Sequence, residues 1–125
     1  SLRSPLGRVL GLGSAKGGSS HWYAQRVTAV ALLLLGAWFA FSLASMGGAS
    51  HEHVVAWLAS PVAAALAVLL VLAAAWHALL GLQVVIEDYV HSHGLETALQ
   101  IVIKIVFSFA AVAAVIAIAR LALNA

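Results

Sequence analysis

The sequence contains no cysteine and very little charge. Without cysteine the chain can form no disulfide and can supply no thiolate ligand to an iron–sulfur cluster. Charged residues make up 8% of its 125 residues and hydrophobic residues 64%, whereas about 25% of the residues of soluble domains are charged. The chain therefore has too little polar surface for a soluble globular domain. Any electron-transfer centre that it holds must use histidine or belong to a partner.

Three hydrophobic runs are long enough to cross a bilayer, whose hydrocarbon core of about 30 Å takes about 20 helical residues. They cover residues 27–46, 61–86 and 98–123. Helices are expected because a helix satisfies its backbone hydrogen bonds within one segment. Lys104 and Arg120 interrupt the third run near its two ends, where long side chains can reach the headgroups. We therefore predict an all-α membrane protein with three transmembrane helices in the lipid bilayer.

The chain reads as one domain, with a polar N-terminal segment over residues 1–21 and a three-helix anchor over residues 22–125. The first hydrophobic run follows positive charge, as in a signal peptide, but it exceeds the usual apolar region of about 7–15 residues, so we expect a retained helix. Little chain remains outside the membrane for a catalytic domain. The chain is therefore expected to work within a complex, with no nucleic-acid partner.

The basic residues predict the orientation. Arg3, Arg8, Lys16 and Arg26 precede or begin the first helix, whereas residues 47–60 contain no Lys or Arg. Cytoplasmic or matrix segments carry the excess of basic residues, so the N-terminus is expected inside. Three spans then place the C-terminus on the opposite side.

Two kinds of apparent motif carry little weight. The glycine-rich segment 11–17 looks like a phosphate-binding loop, but it follows no strand and lacks the Gly-Lys-Ser/Thr ending. The pairs His51/His53 and His91/His93 could bind metal, but no cysteine or well-placed carboxylate completes a ligand set. We interpret them as solvated loop residues and leave their role open.

His77 is the most informative residue, because it lies near the centre of a run that is otherwise free of charge. An ionisable side chain at bilayer depth usually has a partner and indicates a functional site. At about 100° per residue, His77, Gly81 and Asp88 share one helix face, and Ala73 and Ala74 flank the histidine. Small residues there let another helix come close or leave space for a flat macrocycle. From the residues alone, His77 either joins two helices by a hydrogen bond or binds a ligand.

The run from His77 to His91 resembles the second transmembrane helix of the small hydrophobic membrane anchor of succinate dehydrogenase (respiratory complex II). The shared pattern is His77, then Gly81, then Asp88-Tyr89. The segment His-Trp-Tyr-Ala-Gln-Arg-Val-Thr-Ala at residues 21–29 is similar to the start of the first helix in bacterial members. Details of the second run lean toward the alphaproteobacterial and mitochondrial branch.

The resemblance implies a role for each matching residue. His77 would be one axial ligand of haem b, with its other ring nitrogen hydrogen-bonded inside the helix bundle. The second axial histidine would come from a second membrane-anchor protein of the same complex. Arg26 would pair with a haem propionate, and Tyr89 and Asp88 would border the ubiquinone site. The small residues expected to pack on the haem face are Gly81, Ala73 and Ala74.

The complex implied by the resemblance is a four-subunit succinate:ubiquinone oxidoreductase. Its flavoprotein subunit would oxidise succinate, and its iron–sulfur subunit would carry electrons to ubiquinone. A bacterial inner membrane is favoured over the mitochondrial inner membrane. Two alternatives stay open: an anchor of fumarate reductase, and a haem-free structural or assembly subunit in which His77 only joins helices.

Overall fold

The computed structural model describes residues 4–10 and 18–124, apart from the side chain of Arg8, and within them it contains helices and no strand. The glycine-rich segment and the basic residues Arg3 and Lys16 lie outside the described residues. The helices are α1 (Pro5–Val9), α2 (Gly18–Ser45), α3 (His51–Ala59), α4 (Pro61–Tyr89) and α5 (His93–Leu123).

Three of these helices, α2, α4 and α5, are long and apolar enough to cross a membrane. They contain 28, 29 and 31 residues, and at 1.5 Å per residue each exceeds about 40 Å in length. The prediction of an all-α protein with three candidate spans is confirmed.

The helix ends differ from the prediction. Helix α2 begins at Gly18 rather than at residue 27, α4 ends at Tyr89 rather than at 86, and α5 begins at His93 rather than at 98. The hydrophobic runs mark only the part of each helix that suits hydrocarbon, whereas the backbone hydrogen bonds continue into the headgroup layer. The last residues of the polar segment 1–21 therefore belong to α2.

Residues 47–60, expected to be a loop, contain the short helix α3. Gly47 and Gly48 follow α2 with positive φ angles of 23° and 74°, a conformation that glycine adopts at little cost. The Ser50 hydroxyl then caps α3 by accepting a hydrogen bond from the backbone N–H of His53 at 3.2 Å. Pro61 occupies the first turn of α4, where its missing N–H costs nothing.

Helix α4 lies at the centre of the fold. It packs against α2 on one side and α5 on the other, while α2 and α5 make no contact with each other in the described part of the chain. Most of the buried apolar residues belong to α4: Ala63, Ala64, Ala67, Leu80 and Ile86. The three alanines among them let α4 approach its neighbours closely, as small residues do between membrane helices.

Helix α3 holds one set of ends of the long helices together. It packs against α4 and α5, and the ring of Trp57 lies with its centroid 5.4 Å from that of Trp38 and 6.0 Å from that of Phe39, both on α2. These centroid distances are typical of stabilising aromatic pairs. All three long helices therefore meet the same short helix at this end, and the His77 region lies nearer the other end.

Candidate functional site

His77 of α4 contacts Thr28 of α2. The Nδ1 atom of His77 lies 3.0 Å from Thr28 Oγ1, which is hydrogen-bond distance. Thr28 is 4% exposed and is the one buried polar residue in the part of the chain that the structure describes, whereas His77 is half-buried. A hydrogen bond between His77 and a neighbouring helix is therefore present, and it agrees with either of the two roles that the residues alone left open.

The other contacts of Thr28 favour one direction for this hydrogen bond. Its Oγ1 donates to the backbone carbonyl of Ala24 at 2.8 Å and lies 3.2 Å from the carbonyl of Gln25. A hydroxyl has a single proton, so a Thr28 hydroxyl that donates to Ala24 accepts from His77, and Nδ1 then carries the ring proton. In the neutral imidazole the lone pair is then on Nε2, which is the atom left free to bind a metal ion.

His77 and Arg26 line the same cleft between α2 and α4. The cleft has a volume of about 320 Å³. Its lining residues are His21, Trp22, Gln25, Arg26, Ala29, His77 and Val84. The crossing of the two helices thus brings an imidazole, a guanidinium and an aromatic ring to one surface, although the histidine and the arginine are far apart in the sequence.

Arg26 lies at the edge of this cleft with its side chain exposed. Its guanidinium carbon is 5.4 Å from the centroid of the Trp22 ring, within the range of a cation–π contact. Arg26 is two residues before Thr28, which places it about 3 Å farther toward the start of α2. The arrangement can bind an anionic group beside the imidazole.

Gly81 faces α2 rather than open space. A Cβ atom built on Gly81 would lie 3.9 Å from Gln25 Nε2, an ordinary van der Waals contact. The other amide atom, Gln25 Oε1, is buried and has no hydrogen-bond partner among the described residues. Ala73 is half-buried on the same face of α4, while Ala74 is exposed.

The sequence analysis did not single out Thr28 or Gln25 as partners in the site. Both are polar residues in an apolar helix, and their spacing of three places them on one helix face. That pattern, a Gln and a Thr facing the same way in a membrane span, is the signal that could have identified them. It could not have identified His77 as the residue opposite.

Tyr89 and Asp88 lie away from the cleft. Tyr89 ends α4 and is 79% exposed, and Asp88 is exposed beside it. Tyr89 is separated from His77 by about 18 Å along the helix, at 1.5 Å per residue. A smaller crevice near that end is lined by Gly18, His21, Val84 and Glu87. It shares His21 and Val84 with the cleft, so the two adjoin.

The two histidine pairs are exposed. His51 and His53 begin α3, His91 lies between α4 and α5, and His93 is the first residue of α5. Within residues 4–10 and 18–124, no three His, Asp or Glu side chains come together in a group that could hold a metal ion. A metal bound at His77 would therefore need ligands from outside the described part of this chain.

Comparison with known proteins gives consistent matches over nearly the whole chain. The family model described as the succinate dehydrogenase/fumarate reductase transmembrane subunit matches residues 1–118. The succinate dehydrogenase hydrophobic membrane anchor subunit of Rickettsia bellii is 36% identical over 119 residues, covering 94% of both chains. The protein of that name from Paracoccus denitrificans is 34% identical over 123 residues, covering 98% of this chain and 94% of its own.

Proposed function

Because this chain belongs to the succinate dehydrogenase/fumarate reductase transmembrane subunit family, we propose that it anchors a succinate:ubiquinone oxidoreductase in the membrane and shares a haem b with a partner anchor. The observation that carries the haem proposal is the cleft in which His77 and Arg26 lie together.

The residues of the cleft fit a haem group. With Nδ1–H donated to Thr28, His77 offers the lone pair of Nε2 as an iron ligand. Arg26 offers a cation for a propionate, and Trp22 and Val84 offer apolar surface. A bound haem b would supply a one-electron redox centre within the bilayer.

The second axial ligand is proposed to come from the partner anchor. His21 is the other histidine of the cleft, but it lies seven residues before Thr28, about 10 Å farther along α2. It is therefore at a different depth from His77. The exposed apolar surface of all three long helices is also consistent with a partner protein in the membrane.

Tyr89 and Asp88 are proposed to border the ubiquinone site. A phenol hydroxyl can donate a hydrogen bond to a quinone carbonyl, and that bond strengthens as negative charge develops on the oxygen. Both side chains are exposed at the end of α4, which leaves them open to the approach of the soluble iron–sulfur subunit. His77 lies deeper in the membrane, so the proposed haem site and the proposed quinone site are separate regions of this chain.

The proposed location is a bacterial inner membrane. The chain has three helices of spanning length, and the relatives at 36% and 34% identity come from bacteria. The N-terminus is proposed to lie on the cytoplasmic side, since basic residues precede the first span and none lie between the first two spans.

A fumarate reductase anchor is the nearest alternative, because the family description covers both enzymes. The relatives in Rickettsia and Paracoccus are named for succinate dehydrogenase, which favours succinate oxidation as the physiological direction. A haem-free structural protein would use the hydrogen bond between His77 and Thr28 only to join α2 and α4. That hydrogen bond uses Nδ1 and leaves Nε2 without a role.

Replacing His77 separates the haem-binding anchor from the haem-free one. His77→Leu should abolish or shift the b-type absorbance of the purified complex. The matched control is His51→Leu, because His51 is exposed on α3 and should leave the spectrum unchanged. A His77→Leu complex with an unaltered spectrum, and with no other residue found to bind the iron instead, would overturn the assignment.

A further inference from the structure

Thr28 is the one buried polar residue in the described part of the chain, and its hydroxyl joins two hydrogen bonds in series. His77 Nδ1 lies 3.0 Å from Thr28 Oγ1, and Thr28 O–H donates to the carbonyl of Ala24 at 2.8 Å. The carbonyl is held by the backbone of α2. The series therefore begins at a movable ring and ends at a fixed atom.

Such a series does more than join two helices. A helix-joining bond can run in either direction, but Thr28 Oγ1 lies closer to the Ala24 carbonyl, at 2.8 Å, than to His77 Nδ1, at 3.0 Å. A hydroxyl that donates to that carbonyl needs Nδ1–H as its own donor. Rotation of His77 would break the bond between the two side chains, and the other tautomer would require the Thr28 hydroxyl to leave the Ala24 carbonyl and donate to Nδ1 instead. The Thr28 hydroxyl, held by the Ala24 carbonyl, therefore favours one orientation of the ring and one position of its lone pair.

We propose that Thr28 is a positioning residue that holds His77 in its Nδ1–H tautomer and presents Nε2 as an iron ligand. The proposal rests on the function proposed above and names a further residue for it. Partners of the second nitrogen orient metal-binding histidines and raise the basicity of the coordinating atom, and their loss typically weakens metal binding about 10- to 100-fold.

Conservative variants separate the hydroxyl from the shape of the side chain. Thr28→Val keeps the branched shape and removes the hydroxyl, so His77 Nδ1–H loses its acceptor. Thr28→Ser keeps the hydroxyl and its bond to the Ala24 carbonyl. Thr97→Val makes the same chemical change at an exposed position of α5 and serves as the matched control.

The test measures haem retention, the haem midpoint potential and the low-spin EPR g values of the purified complexes. Thr28→Val should weaken haem retention by about 10-fold or more, and should change the midpoint potential or the g values. Thr28→Ser and Thr97→Val should match the wild type. A purely structural role would lower the thermal stability of Thr28→Val without moving the potential or the g values, and that result overturns the proposal.

A parallel His77→Leu sample distinguishes failure of the proposed haem-binding function from failure of the positioning role of Thr28. If His77→Leu keeps a normal haem, the proposed function fails. If His77→Leu loses haem while Thr28→Val is normal in all three measurements, the positioning role alone fails. Should Thr28→Val not assemble, Thr28→Ala is measured in its place. If neither hydroxyl-free complex assembles and Thr28→Ser does, the hydroxyl is needed for folding and the proposal is overturned.

Discussion

Replacing Gly81 tests whether the close crossing of α2 and α4 is what holds the His77 cleft together. A Cβ atom at this position would lie 3.9 Å from Gln25 Nε2, so Gly81→Ala makes an ordinary contact and should be tolerated. The larger side chain of Gly81→Leu extends well beyond Cβ toward Gln25. It must displace Gln25 or push the two helices apart.

The expected size of the effect follows from this geometry. Overpacking a close contact costs about 1–3 kcal/mol, whereas an interhelical hydrogen bond in a membrane protein contributes about 0.6 kcal/mol on average. The bond between His77 and Thr28 lies about one helical turn from Gly81 and is too weak to resist the overpacking. We expect Gly81→Leu to separate the helices there. A loss of about 2 kcal/mol from the free energy of haem binding would make haem retention about 30-fold weaker.

The assay is the reduced-minus-oxidised haem spectrum of equal amounts of purified complex, with a thermal denaturation curve of each sample. Gly36→Leu is the matched control, because a Cβ atom built on Gly36 of α2 has no atom of the described chain within 4 Å. Gly81→Leu should lose haem absorbance and denature at a lower temperature than Gly81→Ala. Wild-type haem content and stability in Gly81→Leu would refute the packing argument.

Three further predictions concern charge, quinone and topology. Arg26→Ala should weaken haem retention or shift the haem midpoint potential, because it removes a cation beside the cleft. Arg26→Lys should recover part of the effect. Equal haem retention and potential in wild type and Arg26→Ala would exclude the propionate role. Tyr89→Phe should lower succinate:quinone reductase activity, because it removes only the exposed hydroxyl. Haem content and succinate oxidation by an artificial acceptor should stay near normal. Unchanged quinone reduction and inhibitor sensitivity would count against a role for Tyr89. His51→Cys introduces a cysteine into a chain that has none. This cysteine should react with an impermeant thiol reagent added from the periplasmic side. Labelling only from the cytoplasmic side would contradict the proposed topology.

The sequence was sufficient to predict the three candidate spans and to select His77. Both conclusions depend on local constraints: a fixed hydrocarbon thickness, a backbone that must satisfy its own hydrogen bonds, and the cost of a polar side chain within an apolar run. Helix ends were less accurate, as the start of α2 at Gly18 and the presence of α3 demonstrate. Hydropathy reports which environment suits a side chain, and the backbone of a helix can continue past that boundary. The roles of His77 in haem binding and of Tyr89 at the quinone stay predictions.

Only the tertiary structure decided what His77 meets. Thr28 and His77 are 49 residues apart in the sequence, and their contact depends on the crossing point and the relative rotation of α2 and α4. That crossing is set by which small residues let the helices approach, a property of two surfaces together rather than of either helix. The same crossing places Arg26 in the cleft with His77 and Gln25 against Gly81. The sequence alone therefore identified the residue that needs a partner, whereas the partner, Thr28, and the ring nitrogen that faces it, Nδ1, followed from packing.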